Sequence, residues 1–358
     1  MHHRRHTASV VAATLMILGL LAAITGCSSS SDTSAAAGDP GTTGTPTTLA
    51  AADVAAAPSS GCSAAAVAPG DTQLDLAAGT EAAWYLRHVP TSYSATTPMP
   101  LVLDLHGYSE GAKINVLQTQ LSEFGDTHGF ITVTPQIERS PARWDTTLGN
   151  ADLAFLGSVL DQAEATLCID QNRVFVTGLS NGAFMTSAMA CQFADRIAAA
   201  SPVAGIRDID GCDPSRPVPV IAFHGTADPF VPYTGGLGSA AANLPAPDGS
   251  GKTLGEVGAV DPATKGPDIP TITGDWAQRN GCGTTSTESP VTDDVTLLTW
   301  PCPPGAEVEL YRVTDGGHSW PGSKFSGSIV SVVGKTTFTI DANELIWAFF
   351  QAHPLRPT

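Results

Sequence analysis

The chain has 358 residues, enough for one large domain with additions. A hydrophobic content of 42% with abundant Gly and Pro excludes a disordered or fibrous chain and fits a loop-rich globular protein. The formal net charge of −17 disfavours nucleic acid and anionic lipid as ligands.

Met1 to His6 carries Arg4 and Arg5, and an apolar run from about Ala8 to Ile24 follows, ending in Ile24-Thr25-Gly26-Cys27. That layout reads as a secretory signal over residues 1–26. The run is also near the ~18-residue lower limit for a membrane span, so a retained anchor is the competing reading. The tetrapeptide resembles the bacterial lipobox, which implies lipidation at Cys27. Loss of Arg4 and Arg5 with the signal would take the charge from −17 to −19. Residues 27–61 are mostly Ser, Thr, Ala, Gly and Pro, which bury too little surface to offset chain entropy. They read as a flexible tether ahead of one folded domain over 62–358.

Within that domain the apolar runs near Ala82–Val89, Leu101–Leu105, Phe130–Thr134, Arg173–Thr177, Ile197–Ala204, Val218–Phe223 and Val308–Val313 predict strands. Ala151–Leu167 and Asn181–Ala194 predict helices. A last helix begins at Asp341, with Glu344 placed to reach back as a capping box. Alternation of strands and helices predicts an α/β domain with a mostly parallel central sheet and helices on both faces. Thr234 to Pro270 breaks the rhythm. It reads either as a lid or substrate loop or as a disordered surface insertion.

Six cysteines remain besides Cys27, an even number in an exported chain, and they suggest disulfides. Many pairings are open. Short local loops favour Cys282–Cys302 and Cys191–Cys212, which leaves Cys62–Cys168. No CxxC pair suggests a metal site.

Gly178-Leu179-Ser180-Asn181-Gly182 lies between a predicted strand and a predicted helix, the setting that a nucleophile elbow requires. A hydroxyl at neutral pH needs a base, and a histidine base needs a carboxylate to orient it. In the order Ser, acid, His the base is His318, in a Gly-flanked loop after the last strand; His224 and His353 fit less well. The acid is Asp228, just past the strand ending at Phe223, with Asp208, Asp210 and Asp213 as rivals. The oxyanion donors are the Asn181 amide and the Tyr108 amide in the loop Leu105-His106-Gly107-Tyr108-Ser109. His106 is expected to brace that loop. Trp144, Phe184, Phe230 and Trp320 are candidates for lining the substrate pocket, or for core.

Together these motifs resemble the secreted esterases grouped around polyhydroxybutyrate depolymerases and feruloyl or acetylxylan esterases. The likeness runs through Leu105-His106-Gly107, Val176 to Gly182, Ser201-Pro202-Val203-Ala204-Gly205, Phe223 to Asp228, Trp276 to Cys282, Gly317 to Gly322 and Glu344 to Phe350. The resemblance implies an α/β-hydrolase with a Ser180–Asp228–His318 triad. It implies no metal or cofactor, and hydrolysis of carboxylic esters through an acyl-enzyme. Ala183, where many members have glycine, and the long 234–270 segment depart from the family pattern. The expected protein is a monomer at the cell surface, bound to membrane only by its lipid and acting on an ester that is free or polymeric. A serine peptidase or acyltransferase with the same triad, and a non-catalytic ligand-binding lipoprotein, are the competing readings.

Overall fold

Alternate residues along the central strands feed two separate cores. Leu101, Leu103 and Leu105 belong to one and Val102 to the other; Val174 and Val176 likewise oppose Phe175. A strand covered on both faces needs a continuous apolar run, which is what these segments supply. The structure, a computed structural model, describes residues 54–356. The expected secretory signal and Cys27 lie outside the described residues.

Ten strands form one sheet: β1 (Gly70–Asp75), β2 (Ala83–Val89), β3 (Met99–Leu105), β4 (Ile131–Ile137), β5 (Ile169–Leu179), β6 (Ala199–Val203), β7 (Val220–Gly225), β8 (Thr287–Pro290), β9 (Val295–Thr299) and β10 (Val308–Val313). Their spatial order is β1-β2-β4-β3-β5-β6-β7-β10-β9-β8. The central run from β4 to β10 is parallel. Both margins are antiparallel. The helices are α1 (Ala112–Thr119), α2 (Leu121–His128), α3 (Ala151–Thr166), α4 (Asn181–Gln192), α5 (Ser239–Ala242), α6 (Ile269–Arg279), α7 (Lys324–Ser328), α8 (Val330–Val333) and α9 (Ala342–Ala352). Leu153 of α3, Met185 of α4 and Ile272 of α6 enter one core. Leu121 of α2 and Ile346 and Phe350 of α9 enter the other, so helices cover both faces. Among the described residues no helix is long and apolar enough to cross a membrane.

Two local expectations change. Asp341 caps α9 by accepting from the Asn343 amide at 2.9 Å, but Glu344 does not complete a capping box; its carboxylate lies 3.8 Å from His128 Nε2. Residues 54–61, read as tether, are pinned beside the start of β5. The Ala57 amide donates to Asp170 Oδ1 at 2.9 Å and the Ser59 amide to the Ile169 carbonyl at 2.9 Å. The folded chain therefore extends N-terminal to Cys62.

Three disulfides, Cys62–Cys168, Cys191–Cys212 and Cys282–Cys302, match the expected pairing. The first fastens this N-terminal segment to the start of β5, and the second ties α4 to the loop after β6. Such bonds fit an oxidising, extracytoplasmic compartment.

Candidate active site

One residue, Ser180, separates β5 from α4, and its backbone sits at φ 58°, ψ −119°. A side chain at positive φ costs about 1–2 kcal/mol, so the surroundings must hold it there. They do so by backbone packing. The Ser180 amide donates to the Val203 carbonyl at 2.9 Å, and its carbonyl accepts from the Phe184 amide at 3.0 Å. A Cβ on Gly182 would lie 2.0 Å from the Leu105 carbonyl oxygen, and one on Gly178 would lie 2.7 Å from Gly182. Both glycines are thus required by the close approach of β3, β5 and α4. The helix cannot sit this near the strand ends with any side chain at those positions. A serine on such a turn, at the carboxyl end of a parallel strand, followed in the chain by an acid and then a histidine, decides the fold. It is that of the α/β-hydrolases.

The second half of the site is the loop after β3. The Gly107 amide donates to Glu110 Oε2 at 3.1 Å, and the Ser109 amide to the Ala142 carbonyl at 2.7 Å. Among the described residues the amides of Tyr108 and Asn181 have no hydrogen-bond partner, which leaves both available to an anion. Trp144 bridges the two segments. Its amide donates to Asn181 Oδ1 at 2.7 Å and its indole Nε1 to the His106 carbonyl at 3.0 Å. Trp144 is buried and ties the loop after β3 to Asn181; it does not line the pocket. His106 braces the loop as expected, its Nδ1 donating to the Gly107 carbonyl at 2.9 Å. Burial drops its pKa to about 4, so it stays neutral.

Asp228 and His318 come from the loops after β7 and β10. Their approach depends on glycine again, since a Cβ on Gly225 would lie 2.2 Å from the Gly316 carbonyl oxygen. His318 Nδ1 donates to Asp228 Oδ2 at 2.7 Å, which leaves Nε2 unprotonated in the neutral ring. Asp228 Oδ1 accepts from the Phe230 and Val231 amides at 2.8 and 2.9 Å. His224 lies 3.5 Å from Asp228 Oδ2, but its Nε2 donates to the Val231 carbonyl at 2.8 Å. With Nε2 so engaged, it neighbours Asp228 while His318 makes the shorter bond to that carboxylate. Asp208, a rival acid, pairs with Arg279 at 2.6 Å.

Burial of both rings and carboxylates opposes charge here, and the pairing outweighs it. Burial alone would raise Asp228, yet the facing His318 and its hydrogen bond hold the carboxyl below its usual value. Burial alone would lower His318, yet the Asp228 charge and hydrogen bond, with Glu110 adding to them, raise it. Glu110 was not anticipated. It is a single carboxylate in a turn, and no sequence pattern marks it. The Ser180 hydroxyl makes no hydrogen bond among the described residues, so the structure joins acid to histidine but not histidine to serine. Such links often tighten only when substrate binds.

Ser180 opens onto a pocket of about 220 Å³. Phe184 and Phe230 line it as expected, and the Phe230 ring lies 4.8 Å from that of His318. Trp320 does not. It is buried in the second core, and its Nε1 donates to Asn343 Oδ1 at 3.0 Å. The far wall comes from the 234–270 segment, through Leu237, Ala241, Leu244, Leu254, Ala259 and Val260. That segment is an ordered part of the pocket, with α5 inside it and a bridge between Pro245 and Thr253. Apolar residues spaced through a Gly- and Pro-rich stretch were the available signal for this wall.

No family model matches the chain. It is similar to curated proteins of the kinds suggested by the motifs. A probable feruloyl esterase C of Aspergillus niger is 32% identical over 160 residues, 43% of this chain and 57% of that protein. Feruloyl esterase B of Piromyces equi is 25% identical over 240 residues, 64% of this chain and 41% of that protein. Poly(3-hydroxyalkanoate) depolymerase C of Paucimonas lemoignei is 37% identical over 128 residues, 33% of this chain and 30% of that protein. The chain thus spans less than two thirds of the length of each of these relatives. Among solved structures, an acetyl xylan esterase from Aspergillus awamori matches with a TM-score of 0.48 at 15% identity, over 73% of this chain and 98% of that one.

Proposed function

We propose that this chain is a serine esterase hydrolysing carboxylic esters, with Ser180, His318 and Asp228 as its triad. The observation that carries the reading is the strained Ser180 elbow, which opens onto a pocket beside two unpartnered amides. The likeness to feruloyl esterases and a poly(3-hydroxyalkanoate) depolymerase supports it.

In this reading His318 Nε2 takes the Ser180 proton as Oγ attacks the ester carbonyl. The Tyr108 and Asn181 amides hold the oxyanion, where fixed donors contribute most. Asp228 keeps His318 in the required tautomer and stabilises the imidazolium. As the tetrahedral centre collapses, the C–O bond to the alcohol breaks and His318 delivers the proton to that oxygen. Water then attacks the acyl-enzyme by the same route, releasing the acid and restoring Ser180.

Ser180→Ala should reduce turnover of p-nitrophenyl butanoate at least ~10³-fold. A fluorophosphonate probe should label the wild-type chain and not the variant. Activity above about a thousandth of wild type in the variant would remove Ser180 from the mechanism. Export with lipidation at Cys27 belongs to the same proposal, with residues between Cys27 and the folded domain acting as the tether. Cys27→Ala should move the protein from the detergent phase to the aqueous phase in Triton X-114 partitioning, and unchanged partitioning would refute the anchor.

A further inference from the structure

We propose that the 234–270 segment makes this site selective for a short, unsubstituted aliphatic acyl group that ends inside the pocket. The inference rests on the esterase reading and adds to it the class of acid released.

The position of the pocket relative to the triad shows which half of an ester enters it. Ser180, Tyr108 and Asn181 lie on its wall and His318 does not. The leaving oxygen must face His318, which protonates it, so the alcohol points away and the acyl chain enters the pocket.

The chemistry of the wall defines the chain. Phe184, Phe230 and the aliphatic residues of the segment supply most of it, and its polar side chains other than the Ser180 nucleophile are already engaged. The Tyr108 hydroxyl donates to the Pro245 carbonyl at 2.9 Å. The Asn181 carboxamide is paired with the Trp144 backbone in both directions, at 2.7 and 3.2 Å. A phenolic or 3-hydroxyl group buried here would give up its water without a replacement, at a cost of about tenfold or more in kcat/KM. Each added methylene, by contrast, gains roughly fourfold while space lasts. Space is limited, because about 220 Å³ falls below the ~300–1,000 Å³ of sites for drug-sized ligands.

The wall is also preformed. The Gly238 amide donates to the Phe230 carbonyl, the Leu254 amide to the Leu244 carbonyl and the Ala246 amide to the Lys252 carbonyl, each at 2.8 Å. These bonds fix the backbone that carries the aliphatic side chains opposite Phe184 and Phe230, so a long or branched acid cannot enlarge the pocket without breaking them.

The test keeps one leaving group throughout, comparing p-nitrophenyl acetate, butanoate, hexanoate, decanoate and ferulate with the full chain. The expected kcat/KM rises at least tenfold from acetate to hexanoate, then falls at decanoate, with ferulate below hexanoate. Ala241→Phe should lower the hexanoate-to-acetate ratio at least tenfold, and Leu244→Ala should move the optimum to a longer chain. Thermal melts establish that each variant is folded; if Ala241→Phe is not, Leu244→Ala decides. A flat chain-length profile, a preference for ferulate, or ratios unmoved in the folded variants would overturn the inference and leave the esterase reading intact. Failure of the wild type to turn over any of these esters or to take a fluorophosphonate label would instead remove the esterase reading, and this inference with it.

Discussion

The glycines that flank Ser180 leave no room for a side chain, whereas the outer turns of the insertion leave a great deal. A Cβ on Gly182 would stand 2.0 Å from a carbonyl oxygen of β3, while Gly249, Gly251 and Gly258 of the insertion have nothing within 4 Å of theirs. Main-chain atoms packed on main-chain atoms cannot drift without losing the fold. The insertion is packed as tightly at its start, where a Cβ on Gly238 would stand 2.1 Å from the Pro229 carbonyl oxygen, but its outer turns hold their place through hydrogen bonds and the side chains they turn inward. One wall therefore fixes the proposed triad, and the outer part of the other can vary while the triad stays in place.

The sharpest way to break the comparison is on the fixed wall. Asp228→Asn keeps the shape of the acid but removes the charge and the acceptor that hold the His318 tautomer. It should cut kcat by about 10³–10⁴ on p-nitrophenyl butanoate. A loss under tenfold would mean that His318 has another partner. Stability should divide along the same line. Gly182→Ala forces β3 and α4 apart and should cost about 3 kcal/mol or more in urea unfolding. Gly249→Ala meets only its positive φ and should cost about 1 kcal/mol. Equal costs would erase the distinction between the walls.

A finer probe is pH. His318 must be neutral to accept a proton, so kcat/KM should rise with pH through the His318 pKa. Asp228 and Glu110 hold that value above the usual histidine range, because negative charge favours the imidazolium. Glu110→Gln removes one of those charges and should move the acid limb to lower pH. A limb that stays put, or moves up, would show that Glu110 serves only to hold the Gly107 amide. The smallest effect belongs to one side-chain bond between the walls. Tyr108→Phe removes the hydroxyl that reaches Pro245, worth about 0.5–1.5 kcal/mol, and should quicken limited proteolysis within 234–270. Unchanged cleavage rates would mean that the insertion holds itself.

Much of the fixed wall was legible in the sequence. The β5 run, Gly178-Leu179-Ser180-Asn181-Gly182 and the helix after it announce their geometry because glycine spacing and apolar runs are local signals. The order of Asp228 and His318 is equally local, since each follows a parallel strand. Trp320 misled for the opposite reason. It is two residues from His318, but proximity in sequence does not give side-chain direction in a loop, and its indole turns into the second core to meet Asn343. Trp144 is aromatic and near the site, and only tertiary structure reveals that its polar edges are used as a brace. The marginal strands β1, β8 and β9 escaped notice: β1 and β8 are largely exposed and polar, and β9 is a five-residue run with only two buried positions, without the continuous apolar run of the centre. The insertion wall was half visible. Its apolar residues fit neither a helical nor a strand period, so periodicity says nothing of where they point.

The pairing of all six cysteines within residues 54–356 bears on how this comparison could be watched directly. That span presents no free thiol, so a single cysteine introduced at an open position of the insertion, such as Gly249, would be its one alkylatable site. A spin label placed there would report how the mobility of the insertion changes as acyl chains of increasing length arrive.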